Sequence, residues 1–254
     1  MNDPVIGLSW GTVMQAGLVE LIELAARYGF PTIAFSPDMY HAALEGGETG
    51  PSLRRRLADA GVRVQVIDPL NAGLPGLSDE PTRLGEFTFT PSGADTCLDV
   101  AEAVGAPVIN LVHYNGEAVP LDQLAEAIGS VCRQAARRGV TIAIEFVPEG
   151  AVPDLPAAQA MAAACAEPNC AIMLDTWHLL RTGGTVADIE ALPPRAIGAF
   201  QLSDRIEPPA DTAYIPMTGR LLPGEGELPL RELVAAALAN NPDITLEIEV
   251  FSEE

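Results

Sequence analysis

The chain has 254 residues, 48% of them hydrophobic, and a formal net charge of −21 at pH 7. This length suits one large α/β domain or two small ones, and the apolar content is enough for a sizeable core. The negative charge argues against nucleic-acid or anionic-membrane binding, since both need a basic face. All 14 basic residues are arginine, which excludes a Schiff-base lysine and a Walker-type phosphate loop.

The sequence shows no pattern typical of a membrane span, a signal peptide or a CxxC motif. No apolar run reaches the length of a membrane span, and the start, MNDPVIG, lacks the basic and apolar regions of a signal peptide. A cytoplasmic protein is therefore expected, and a homo-oligomer stays open. The four cysteines form no CxxC pair and are interpreted as buried core residues.

Apolar, strand-like runs alternate with amphipathic helical runs along the whole chain. Strands are predicted at Val5–Trp10, Thr32–Ser36, Val62–Ile67, Val108–His113, Val140–Phe146, Ala171–Asp175, Ile197–Leu202 and Ile244–Val250. Helices are predicted at Leu18–Tyr28, Ser52–Ala60, Ala94–Val104, Leu121–Arg138, Leu155–Ala166, Val186–Leu192 and Leu230–Ala239. Long loops are predicted at Asp68–Pro91 and Ser203–Glu227, and the first is long enough to cover something.

A unit of helix, glycine and apolar strand recurs, as in YGFPTIAF, AGVRVQVI, VGAPVINL and RGVTIAIE. The glycine stands where a helix end needs a left-handed residue. Eight such strands predict a single-domain (β/α)8 TIM barrel over residues 1–254, its last outer helix missing or replaced by the N-terminal segment. A doubly wound open sheet is the alternative, but it usually has fewer strands and no GxGxxG follows the first strand.

Carboxylates stand at the ends of several predicted strands, where TIM barrels carry their active sites. Glu145 ends the fifth strand, Asp175 ends the sixth, and Glu247 and Glu249 lie on one side of the eighth. Carboxylates gathered at one rim repel each other, and a divalent cation removes that penalty. Neutralisation by arginine is the alternative, but arginine is scarce along these strands.

Two histidines, an arginine and a tryptophan are candidates for contacts with substrate. His178 follows Asp175 by three residues and is the first candidate for a general acid or base. His113 ends the fourth strand and is expected either to bind a substrate hydroxyl or to pack at the strand end. Arg220 is a candidate for holding an anionic group, and Trp177 for an apolar wall of the cavity or core.

The segments Asp175-Thr176-Trp177-His178, Glu249-Val250-Phe251 and RLLPGEGE (220–227) resemble the xylose isomerase-like superfamily of sugar isomerases, epimerases and dehydratases. The resemblance covers nearly the whole chain. It implies one divalent metal and strand-end ligands that match Glu145, Asp175, Gln201 and Glu249 here. It further implies that His178, with Glu145 and Glu249, moves protons, and Glu247 is then left to contact substrate.

Gln201 departs from the histidine that is commoner at this place in the superfamily. The ligand set becomes all oxygen, which favours Mg²⁺ or Mn²⁺ over Zn²⁺ and still admits Co²⁺. With a glutamine at this place, the chain resembles one branch of the superfamily, the bacterial 3-dehydroshikimate dehydratases. Those enzymes carry an arginine after the third strand, where this chain has Asp68-Pro69-Leu70-Asn71, and this argues against that assignment.

The hypothesis is a divalent-metal-dependent isomerase or epimerase. It would remove a proton next to the carbonyl of a keto-sugar or cyclic keto-polyol and pass through an enediolate. One alternative is a metal-dependent lyase, either a dehydratase of the 3-dehydroshikimate or inosose type or an enzyme that eliminates an aglycone from an oxidised glycoside. The other is a non-catalytic partner subunit, for which a broken ligand set is expected. Endonuclease relatives use a basic face, which is absent here.

Overall fold

The computed structural model describes residues 4–84, 87–114, 116–148, 150–206 and 218–251. Its strands are β1 (Ile6–Ser9), β2 (Thr32–Phe35), β3 (Arg63–Leu70), β4 (Thr82–Leu84), β5 (Phe87–Phe89), β6 (Val108–Val112), β7 (Thr141–Glu145), β8 (Cys170–Asp175), β9 (Ile197–Leu202) and β10 (Leu246–Ile248). All except β4 and β5 form a closed parallel barrel in the order β1-β10-β9-β8-β7-β6-β3-β2. The predicted TIM barrel is confirmed.

The helices lie outside the barrel and connect successive strands. They are α1 (Leu18–Tyr28), α2 (Pro37–Glu45), α3 (Gly50–Ala60), α4 (Ala94–Val104), α5 (Leu121–Ala136), α6 (Leu155–Cys165), α7 (Thr176–Arg181), α8 (Val186–Glu190) and α9 (Leu230–Asn240). Helices α2 and α7 were not predicted from the sequence. Within the described ranges, no helix has the length and apolar content to cross a membrane.

The recurring glycines end helices as the repeated unit predicts. Gly29 and Gly105 have φ of 80° and 77°, and their backbone N–H groups bond to carbonyls of α1 and α4. This left-handed conformation suits glycine, which has no Cβ to clash with the carbonyl. Helices α1 and α4 therefore each stop at a defined residue, shortly before the next barrel strand begins.

The long loop after β3 contains the only antiparallel pair among the described strands. The short strands β4 and β5 pair with Thr82 opposite Phe89, and this hairpin lies beside the C-terminal ends of the barrel strands. This loop was predicted to cover part of the protein, and its position at the C-terminal ends of the barrel strands agrees with that prediction. In the second long loop, residues 207–217 lie outside the described part.

The barrel interior is filled in layers of inward-facing side chains. A small apolar cluster crosses the middle of the barrel and comprises Ala34, Val66, Val108, Ala143, Met173 and Ala199. On one side of this cluster, Glu247 accepts hydrogen bonds from the hydroxyls of Thr32 (3.1 Å) and Thr245 (3.0 Å). Gly7 has no side chain, and the carboxylate of Glu247 fills the space that this leaves.

A methyl group at Gly7 should destabilise the protein. In Gly7→Ala the Cβ would overlap Oε2 of Glu247 and Oγ1 of Thr32, both enclosed in the barrel. Overpacking of this kind costs about 1–3 kcal/mol in the free energy of unfolding, which urea denaturation measures. In the control variant Gly17→Ala the new Cβ meets nothing within 4 Å, so a loss below about 1 kcal/mol is expected. Equal losses in the two variants would contradict this account.

Candidate functional site

A cavity of about 350 Å³ opens at the C-terminal ends of the barrel strands. Its polar residues include five of those singled out from the sequence: Glu145, His178, Gln201, Arg220 and Glu249. All five are buried, so their polar atoms are largely withdrawn from bulk water. Charges in such a setting interact far more strongly than they would on the surface.

Four carboxylates converge below this cavity from separate strands. Glu145 and Asp175 end β7 and β8, Glu249 follows β10, and Asp68 lies on β3. The amide nitrogen of Asn110 links two of them, since Nδ2 lies 2.7 Å from Oδ1 of Asp68 and 2.6 Å from Oε2 of Glu145. The strands thus bring Asp175, Glu145 and Glu249 to one place, as the sequence predicted, and add Asp68.

A single guanidinium lies among these acids. Nη1 of Arg220 is 2.5 Å from Oδ2 of Asp175 and 3.8 Å from Oε2 of Glu249. The guanidinium carbon lies 5.6 Å and 5.2 Å from the ring centres of Trp177 and Phe251. Arg220 is therefore held by charge and by stacking, in part of the space that was predicted for a cation.

His178 is oriented by the turn that begins α7. Its backbone N–H donates to Oδ1 of Asp175 at 2.9 Å, which caps the helix. Its ring nitrogen Nε2 lies 3.3 Å from Oε1 of Glu145 and 3.3 Å from Nη2 of Arg220. The imidazole thus reaches the cavity between a carboxylate and a guanidinium, within range of a proton exchange with Glu145.

The carboxylates have unequal proton affinities. Burial raises the pKa of Asp175, but the charges of Arg220 and His178 outweigh burial and hold this pKa below its usual value. Burial and the charge of Glu145 raise the pKa of Asp68 to about 7. Burial and the charge of Asp68 likewise raise the pKa of Glu249 well above its usual value. One guanidinium does not balance four acids, and the raised pKa values of Asp68 and Glu249 reflect burial together with this surplus of negative charge.

The residues present fit a divalent cation. Glu145, Asp175 and His178 each offer a ligand atom within 4.8 Å of the others. Oε1 of Gln201 is buried and has no hydrogen-bond partner among the described residues, while its Nε2 donates to Asp68 at 3.3 Å. An unpartnered amide oxygen beside clustered carboxylates is the arrangement that a hard cation requires. Arg220 and a cation would compete for Asp175.

Three residues predicted to contact substrate lie elsewhere. His113 is buried, with Nε2 2.9 Å from the carbonyl oxygen of Pro75, and is not among the residues that line the cavity. Trp177 is buried behind Arg220, with its ring edge-on to His178 at 5.5 Å. Glu247 lies deeper in the barrel, with Thr32 and Thr245. The structure does not bring these three residues to the cavity.

Two residues of the cluster were missed by the sequence analysis. Asp68 follows the strand-like run VQVI, much as Glu145 ends an apolar run, but it was predicted to be the first residue of the long loop Asp68–Pro91. Asn110 is a polar residue in the middle of a strand, fully buried, and it bonds to both Asp68 and Glu145. A polar residue inside an otherwise apolar strand was the available signal.

The raised pKa of Asp68 makes stability depend on pH. Between the usual value of 3.8 and about 7, the folded protein holds a proton that the unfolded chain has released. The free energy of unfolding therefore falls as pH rises through this window. The asparagine in Asp68→Asn cannot titrate. Between about pH 4 and pH 7 in metal-free buffer, the free energy of unfolding of this variant should therefore fall by at least about 1 kcal/mol less than that of the wild type, as measured by urea titration. The exposed control Asp59→Asn should keep the wild-type slope, and an unchanged slope in Asp68→Asn would refute the assignment.

Comparison with known proteins identifies the family. The model of the xylose isomerase-like TIM barrel family matches residues 22–254. No curated protein sequence matches the chain. Among solved structures, the IolI protein with a binding zinc atom superposes with a TM-score of 0.79 at 15% identity, covering 98% of this chain and 89% of that one.

Two further structures show the same fold. A probable 3-DHS dehydratase, AsbF, from Bacillus anthracis gives a TM-score of 0.77 at 16% identity, covering 98% of this chain and 93% of its own. A D-allulose 3-epimerase from Methylomonas sp. gives a TM-score of 0.72 at 16% identity, covering 98% and 85%. At these identities the likeness shows the fold alone. With the family model matched over most of its length, the chain belongs to the xylose isomerase-like TIM barrel family.

Proposed function

We propose that this protein is a divalent-metal-dependent isomerase or epimerase of a keto-sugar or cyclic keto-polyol. The observation that carries the proposal is the buried cluster of Asp68, Glu145, Asp175 and Glu249 beside His178, below an open cavity. Two groups that can exchange a proton, placed beside a cation site, can remove and return a proton on the carbon adjacent to a carbonyl. A dehydratase and an epimerase among the structural neighbours are consistent with this class of chemistry.

Glu145, Asp175, Gln201 and Glu249 would hold the cation. When bound, Mg²⁺ or Mn²⁺ would polarise the substrate carbonyl and stabilise negative charge on its oxygen. The neighbour IolI is described with zinc, whereas the glutamine oxygen in place of an imidazole favours a harder ion here. Displaced from Asp175, the Arg220 guanidinium would remain within the cavity and could donate to a substrate oxygen.

His178 and Glu145 would exchange protons with the substrate carbon. The two groups lie 3.3 Å apart, so a proton taken by one can pass to the other before it returns to carbon. The hydroxyl of Ser9 donates to Oε1 of Glu249 at 2.9 Å and fixes that carboxylate at the edge of the cavity. Return of the proton to a neighbouring atom or to the other face gives isomerisation or epimerisation.

The first test concerns metal binding. Asp175→Asn removes one charged ligand and should weaken Mn²⁺ binding by at least about 100-fold in isothermal titration calorimetry. His178→Ala should bind Mn²⁺ as the wild type does, because His178 is assigned to proton transfer. His41→Ala, at an exposed position on α2, serves as the matched histidine control. Loss of Mn²⁺ binding in His178→Ala would make His178 a ligand instead.

The second test concerns proton exchange. Incubation with keto-sugars and cyclic keto-polyols in D₂O should exchange a substrate C–H proton, followed by nuclear magnetic resonance. His178→Ala should lower the exchange rate by about 10²–10⁴-fold, and His41→Ala should not change it.

Two results would overturn this assignment. Full exchange in His178→Ala would remove His178 from the mechanism. Ultraviolet absorbance from a conjugated product would show elimination, so the protein would be a lyase.

A further inference from the structure

The walls of the cavity differ in chemistry from its floor. Above the buried acids the cavity is lined by apolar side chains, namely Trp10, Met14, Met39, Leu77, Phe89 and Phe251. All six are half-buried, so each shows apolar surface to the cavity. The hydroxyl groups of a sugar or polyol gain little from such walls, which suit a more apolar part of a ligand.

Three of the wall residues form a connected aromatic surface, hereafter the aromatic wall: Trp10, Phe89 and Phe251. The ring centre of Trp10 lies 6.0 Å from that of Phe89 and 5.7 Å from that of Phe251, in tilted and edge-on arrangements. These are the geometries that aromatic pairs prefer. The wall is therefore a fixed surface rather than three separate side chains.

The backbone at Phe251 supports a fixed position for the wall. Phe251 has φ of 50°, a left-handed conformation that a bulky residue adopts only when its surroundings impose it. Its ring packs edge-on against Trp10 and lies beneath the Arg220 guanidinium, so these two side chains fix the position of the ring. The strain is retained where the ring borders the cavity.

The charges at the cavity disfavour an anionic ligand. Asp38, Asp68, Glu145 and Glu249 line it, and Asp175 lies directly below. Arg220 is the one arginine among the described residues that line the cavity, and Asp38, Glu145 and Asp175 alone match the three positive charges that Arg220 and a divalent cation would supply. The cavity therefore has no surplus of positive charge to attract a phosphate or carboxylate group on the substrate.

We propose that the substrate is an uncharged polyol that carries an apolar ring, with the polyol on the acidic floor and the ring against the aromatic wall. This inference rests on the proposed function for the reacting part of the molecule and adds the class of its substituent. Phe89 is the residue most suited to set this preference. It lies at the end of β5, in the hairpin outside the barrel, so it can change without disturbing the acids.

Binding of matched probes tests the proposal. The probes are the phenyl and methyl glycosides of one hexose, each oxidised to a ketone at the same ring carbon, and the 6-phosphate of the phenyl compound. Calorimetry with the full chain and Mn²⁺ should give the phenyl compound at least about tenfold tighter binding than the methyl compound. The phosphorylated compound should bind at least about tenfold more weakly than its parent.

Phe89→Ala should reduce the phenyl preference to about threefold or less and leave the methyl compound unchanged. Tyr28→Ala removes an exposed aromatic ring at the end of α1 and should change none of the affinities. Circular dichroism and thermal unfolding would verify that both variants are folded. If Phe89→Ala does not fold, Phe89→Leu should reduce the preference in the same direction.

Equal binding of phenyl and methyl compounds by the wild type would overturn the proposal, as would no binding of either. Equal weakening of both by Phe89→Ala would also overturn it, because the wall would then hold the sugar ring itself. Exchange of substrate protons without a phenyl preference would leave the proposed function intact. A phenyl preference without proton exchange or ultraviolet absorbance would leave the ligand class intact and remove the reaction.

Discussion

The surplus of buried negative charge around Arg220 is the constraint on which the site depends. The barrel places Asp68, Glu145, Asp175 and Glu249 together because parallel strands end at one rim. Carboxylates taken out of water are costly unless paired, and one guanidinium pairs with Asp175 and approaches Glu249. Burial and the surplus of negative charge raise the pKa of Asp68 and of Glu249. Because negative charge is in surplus at this site, binding of a cation there would be electrostatically favourable.

Much of the architecture could be predicted because it rests on local patterns. All eight barrel strands were found from apolar runs, four of which follow helix-ending glycines, and Glu145 and Asp175 were found because each ends such a run. The helices α2 and α7 were missed because both begin directly at a strand end. The position of Arg220 was beyond sequence reasoning, since a loop residue is placed by contacts distant in the chain.

Depth within the barrel was another quantity that the sequence could not supply. Glu247 and Glu249 are two residues apart, so they face the same side, but successive inward residues lie roughly 6.6–6.8 Å apart along a strand. One carboxylate reaches the cavity and the other bonds to Thr32 and Thr245 inside the barrel. His113 shows a similar limit, because its orientation is set by the carbonyl of Pro75, which lies 38 residues earlier.

The separation between floor and hairpin has a consequence for how such a protein can diversify. The groups suited to chemistry are anchored on barrel strands, where each substitution disturbs several neighbours at once. Phe89 lies on a two-stranded hairpin that makes no ladder with the barrel. Mutations there can alter which molecules are accepted while the reactive groups stay intact. Related proteins with this arrangement can therefore acquire different substrate preferences through substitutions in one hairpin.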